Sequence, residues 1–142
     1  MHNWLVAIVL LLAPVTAGHA QQTLNPSQTH GQAMIHQLRI YEIFDKNKDA
    51  FHARFRDHAA RIMQRHGFHI VTMWEARNEQ RTEFVYLLQW PSEQVMQERW
   101  TRFMADEEWS DIKAKTSARA GALVGSIQDR VLHVTDYSPK PF

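Results

Sequence analysis

The sequence contains no cysteine, only five glycines and five prolines, and not one Lys, Arg, Asp or Glu in its first 20 residues. Without cysteine, neither a disulfide framework nor a thiolate zinc site can form. The low Gly and Pro content, beside seven Phe, excludes a collagenous or low-complexity chain. There is also no excess of one charge: 16 Lys and Arg nearly balance 15 Asp and Glu. A basic face for a phosphate backbone is therefore not implied, and no nucleic-acid partner is expected. All 31 charged side chains fall in the last 122 residues, about 25% of them, an ordinary value for a globular domain. That length suits one hydrophobic core rather than two.

What the first 20 residues do contain is an apolar run, Trp4 to Ala13, closed by Pro14. Ten residues fall well short of the roughly 20 needed to span a bilayer, but they match the core of a secretory signal. Ala17-Gly18-His19-Ala20 places small residues at the cleavage positions. Residues 1–20 are thus expected to be a signal peptide, despite an N-terminus without Lys or Arg. The mature protein is expected to be periplasmic or secreted, with no membrane attachment after cleavage. Residues 21–33 are polar, with a Pro and a Gly, and read as a disordered linker.

From residue 34 to 142 the pattern is that of one domain. Met34 to Phe44 is rich in β-branched and aromatic residues and reads as a strand. The next segment is helical by period: Phe51, Phe55, His58, Ala59, Ile62 and His66 share one arc, with Arg54, Asp57, Arg61 and Gln64 opposite. Gly67 supplies a stop. Phe68–Glu75 and Thr82–Trp90 form a hairpin, and a helix follows Pro91-Ser92. Asp106 caps a short helix through Trp109 and Ile112, Ala118–Ser126 reads as a loop, and Asp129–Tyr137 as the last strand. The order βαββαβ predicts an α+β, ferredoxin-like fold with a four-stranded antiparallel sheet and helices on one face.

The strands carry apolar residues on both faces. In the second, Phe68, Ile70 and Trp74 oppose Val71 and Met73; in the third, Phe84, Tyr86, Leu88 and Trp90 oppose Val85 and Leu87. A sheet with one wet face should alternate apolar with polar. The second face needs a cover, and a second copy packed sheet to sheet is the economical one. A homodimer is therefore expected.

Five short stretches, in order, resemble the NIPSNAP family of the dimeric α/β-barrel superfamily. They are Leu38-Arg39-Ile40-Tyr41, His58 in mid-helix, Arg65-His66-Gly67, Asp106-Glu107-Glu108-Trp109 and Tyr137-Ser138-Pro139. Glu107 stands where the family usually has Pro. The resemblance implies a dimeric α/β barrel. It brings no reaction with it.

Candidate site residues each have a plainer role beside the functional one. His58, placed by the helical period against the sheet, is a candidate general base or ligand anchor, or a satisfied core histidine. Arg39 and Tyr41 share a strand face and suit an anionic or carbonyl-bearing ligand; the plainer role for Arg39 is an ion pair with Glu42 or Glu75. Trp74 and Tyr86, with Trp90, are aromatics that would wall an apolar site or simply fill a core. Seven His remain after the leader, but none has metal-ligand spacing, so no metal is expected. No cofactor is implied either; haem through His58 would rest on superfamily analogy alone. Three functions are open: binding of a small apolar ligand between helices and sheet, a cofactor-free monooxygenase or isomerase using His58, and a non-catalytic interaction scaffold.

Overall fold

The computed structural model describes residues 34–139. The expected leader and linker lie outside the described residues. Strand β1 (Ile35–Ile43) leads through a short turn into a helical rod made of α1 (Lys48–Arg54), a wide π turn (Phe55–Ala59) and α2 (Ala60–Arg65). Then come β2 (His69–Asn78), β3 (Arg81–Trp90), α3 (Glu93–Met104), α4 (Glu107–Ala120) and β4 (Val124–Leu132). The sheet order is β2-β3-β1-β4, every pair antiparallel. This is the expected α+β ferredoxin-like sheet. Among the described residues no helix is long and apolar enough to cross a membrane.

Alternation along β3 fixes which face is which. Phe84, Tyr86, Leu88 and Trp90 are buried under the helices, whereas Val85 and Leu87 are only half-buried on the open face. Phe51, Phe55, Ala59, Ile62 and Met63 come down from the rod, Met96 and Phe103 from α3, and Trp109 from α4. Burying such side chains supplies about 1.5–3 kcal/mol each, so this single layer dominates stability.

Four features depart from the sequence reading, each through a local change of phase or extent. β2 carries a bulge at Val71, between Ile70 opposite Leu88 and Thr72 opposite Leu87. One extra residue inverts everything after it, so Met73 joins Tyr86 on the helix side and Trp74 joins Val85 on the open side. The π turn likewise adds a residue to the rod. It brings Met63 onto the buried face beside the expected Ala59 and turns His58 away from it, so that His58 lies half-buried beside α4. Helix α4 does not stop near Ile112. The stretch to Ala120 holds Ala, Lys and Arg with no Gly or Pro before Gly121, and strong helix formers carry it on. Consequently the last strand runs Val124–Leu132 rather than Asp129–Tyr137.

Two of the family-like stretches lock one another. Gly67 ends α2 in the left-handed region at φ +78°, its N–H bonding Gln64 O (2.9 Å) and that of Phe68 bonding Met63 O (3.0 Å), the pattern of a Schellman stop. Arg99 fills the space a side chain at 67 would need and donates to His66 O (3.0 Å). Asp106 caps α4 by accepting from Trp109 N (3.0 Å), and it also takes bonds from His66 Nε2 and Arg65 (both 2.7 Å). Arg61 and Arg65 both pair with Glu108. The bonds from His66 and Arg65, with the Trp109 N–H, hold the Asp106 carboxyl well below its usual range.

Gly67→Ala forces a Cβ into both the left-handed backbone and the Arg99 guanidinium. It should cost about 1 kcal/mol or more, read as a lower urea midpoint. A depressed carboxylate stabilises the fold above its unfolded pKa of about 3.9 and loses that contribution as pH falls through its lower folded value. Thermal stability should therefore drop below about pH 4. Asp106→Asn, which keeps a capping oxygen, should show a shallower acid limb; an unchanged limb would contradict the assignment.

Candidate functional site

The alternation of β1 aims Gln37, Arg39 and Tyr41 at the helices, opposite Leu88, Tyr86 and Phe84 of β3 and Val131, Asp129 and Ile127 of β4. Gln37 is the buried hub. Its amide nitrogen donates to both Asp129 oxygens (2.9 and 3.0 Å), and its carbonyl oxygen accepts the indole N–H groups of Trp90 (3.1 Å) and Trp100 (2.8 Å). Arg39 donates to Asp129 (2.6 Å) and to the Tyr41 hydroxyl (3.1 Å), with its guanidinium 4.6 Å from the Trp100 ring centroid. Burial works against its charge, but Tyr41, Tyr86 and Asp129 outweigh it and hold the cation firmly protonated. The Arg39 Nε, by contrast, is buried with no partner.

The Tyr41 and Tyr86 hydroxyls lie 2.8 Å apart. Tyr86 is fully buried, and burial first of all pushes its phenol well above the usual value, so it is a neutral O–H. Tyr41 is the acceptor within its reach, and a buried donor left unmade costs about 1–3 kcal/mol. Tyr86 therefore donates to Tyr41. The Tyr41 oxygen then accepts from both Arg39 and Tyr86, and its own proton is left for the space in front of it.

That space is a cleft of about 250 Å³ enclosed by β1, β4, the rod, α3 and α4. Its walls are Phe51, Phe55, Ala59, Met63, Phe103, Trp109, Val124 and Ile127; its polar members are Arg39, Tyr41, Arg54 and Lys113. Among the described residues no acidic side chain lines it. It is slightly below the roughly 300–1,000 Å³ usual for ligand pockets and has their composition, apolar walls with a few convergent polar groups.

Of the residues singled out from sequence, the structure brings Arg39, Tyr41 and Tyr86 together. Tyr41 faces the cleft and Tyr86 stands behind it. Trp74 is on the opposite face of the sheet, 48% exposed, and walls nothing with Tyr86. His58 lines a separate, more open groove of about 450 Å³ with Arg54, Asp57, Thr116 and Arg119. A base at His58 acting with Arg39 and Tyr41 on one substrate is not assembled here. The acid paired with Arg39 is Asp129, not Glu42 or Glu75: Glu42 binds Ser126 (2.8 Å), and Glu75 binds Lys48 (2.8 Å) and His52 (3.0 Å). Gln37, Trp100, Asp129, Arg54 and Lys113 do not stand out as site residues in the sequence. Gln37 alone carries a signal there, a polar residue in register with the buried face of β1. Among the described residues no group of three or more His, Asp or Glu is placed to hold a metal ion.

With the geometry in hand, comparison with known proteins agrees on the fold. A NIPSNAP-like domain protein from Burkholderia xenovorans superposes with a TM-score of 0.64 at 18% identity, over 77% of this chain and 91% of its own. Two NIPSNAP family proteins from Agrobacterium tumefaciens str. C58 each give 0.64 at 21% identity. One, of unknown function, covers 78% of this chain and 96% of its own; the other covers 75% and 97%. No curated protein matches the sequence. The model of the NIPSNAP family matches residues 36–139, most of the chain, and the chain belongs to the NIPSNAP family.

Proposed function

We propose that this is an exported homodimer that binds a small, largely apolar molecule in the cleft between helices and sheet, without turnover. The observation that carries the binding reading is the cleft itself. Aromatic and aliphatic side chains from the rod, α3, α4 and β4 surround it, and only Arg39, Tyr41, Arg54 and Lys113 bring polar atoms to it. The Tyr41 hydroxyl, fixed from behind by Arg39 and Tyr86, is a preorganised donor for one polar atom of the ligand. A carboxylate or imidazole base is the commonest means of turnover, and among the described residues the cleft's own lining contains no His, Asp or Glu. Such a lining favours binding over the isomerase or monooxygenase reading.

Pairing is supported by the open face. Leu38 and Ile40 of β1, Val85 and Leu87 of β3 and Trp74 of β2 share it, none of them fully buried. The helices of the described residues are already committed to the other face, and a second copy presents the same apolar surface to this one. Export rests on the signal-like first 20 residues.

Saturation-transfer NMR with the neutral probe 2-naphthol tests the cleft. Transfer is expected with the wild type and should vanish in Ile127→Trp, which fills the space from its half-exposed wall; equal transfer in both would refute the site. Light scattering at micromolar concentration should give twice the chain mass, falling toward the monomer in Trp74→Lys. A monomeric wild type would refute the pairing.

A further inference from the structure

The charge in and around the cleft is not balanced, and the imbalance has a location. Arg39 is neutralised by Asp129 at 2.6 Å. Arg54 and Lys113 are not neutralised. Among the described residues neither has a hydrogen-bonding or ion-pairing side chain, although both are half-buried and most other cations of the domain have such partners. Both flank one indole: the Arg54 guanidinium and the Lys113 ammonium each lie 5.7 Å from the Trp109 ring centroid. The two cations thus share one aromatic partner, and both line the cleft.

Attraction to the ring accounts for either cation alone. It does not account for placing two on one ring with no acid between them. Arg54, Lys113 and Tyr41 all line that one cleft, and burial disfavours the Arg54 charge. Two cations without acidic partners and the Tyr41 hydroxyl thus line a single, largely apolar space.

We infer that the cleft takes a small apolar carboxylic acid, its carboxylate lying between Arg54 and Lys113 and accepting the Tyr41 O–H, its hydrocarbon body against Phe55, Phe103 and Trp109. This rests on the apolar-binding reading above and gives it a ligand class. The anion supplies the acidic partner that both cations lack, and charge-assisted bonds in a partly dry site are worth more than neutral ones. Fixed aromatic walls leave room for a ring or short chain, not a long acyl tail, in about 250 Å³.

The test compares 4-phenylbutyrate with the isosteric, neutral 4-phenylbutanamide by calorimetry on the mature wild-type protein. The acid should bind about tenfold or more tightly than the amide. Its advantage should shrink as salt is raised from about 20 mM to about 500 mM. Arg54→Gln and Lys113→Gln should each weaken acid binding several-fold and so narrow the advantage of the acid over the amide. Should one variant fail to fold, the other and the salt series in the wild type still decide. Equal affinity for acid and amide, insensitive to salt and to both substitutions, overturns the acid inference while leaving an apolar site. Failure of both compounds to bind the wild type overturns the site itself.

Discussion

Arg39 carries a positive charge into the layer between sheet and helices, and much of the surrounding structure is arranged so that this charge is tolerable. A cation taken out of water costs several kcal/mol unless it is paired and its donors are used. The pairing acid comes from β4, the accepting hydroxyl from β1 itself with β3 behind it, and the stacking ring from α3. Gln37 then holds the same Asp129 and the same Trp100 from the other side, with Trp90 added. One charge therefore ties three strands and a helix into a fixed geometry. The floor of the cleft inherits that rigidity, so the Tyr41 hydroxyl is aimed before any ligand arrives.

The rest of the domain divides around this floor. Below the sheet, aromatic packing from Phe51 and Phe55 through Phe84 to Tyr86, and from Phe68 through Trp90 and Trp100 to Phe103, fills the space tightly. The cleft lies where β1 and β4 face the rod, α3 and α4. Above the sheet, the Val71 bulge decides the character of the open face. Without it Trp74 would point into the core; with it a large indole is delivered to the surface proposed for the second copy. The Asp106 cap and the Arg61, Arg65 and His66 contacts clamp α2 to the start of α4 and so set where Trp109, with its two cations, can stand.

The sequence is most legible where periodicity is strong and uninterrupted. β3 alternates without fault, and the hairpin, the α3 cap at Ser92 and the Gly67 stop arise from local chemistry. Legibility fails where a single residue is added. The Val71 bulge and the π turn leave no mark in composition, yet each inverts or rotates the residues after it, so Trp74 and His58 stand away from the places their periods suggest. The second half of α4 and all of β4 are hard to read for another reason: their side chains are mostly exposed, so burial imprints no pattern on them. Arg54 and Lys113 are invisible in the sequence because a cation on a helix normally marks its wet side. Only their shared placement at Trp109 and on the cleft lining gives them meaning.

The central claim is that the cleft under Tyr41 holds a small ligand in the native protein. Native mass spectrometry of the chain purified without denaturation addresses it most directly. The expected result is a dimer mass carrying a discrete small-molecule increment, released on activation as an anion and absent from Ile127→Trp. An unliganded mass for the wild type, unchanged by filling the cleft, would contradict it.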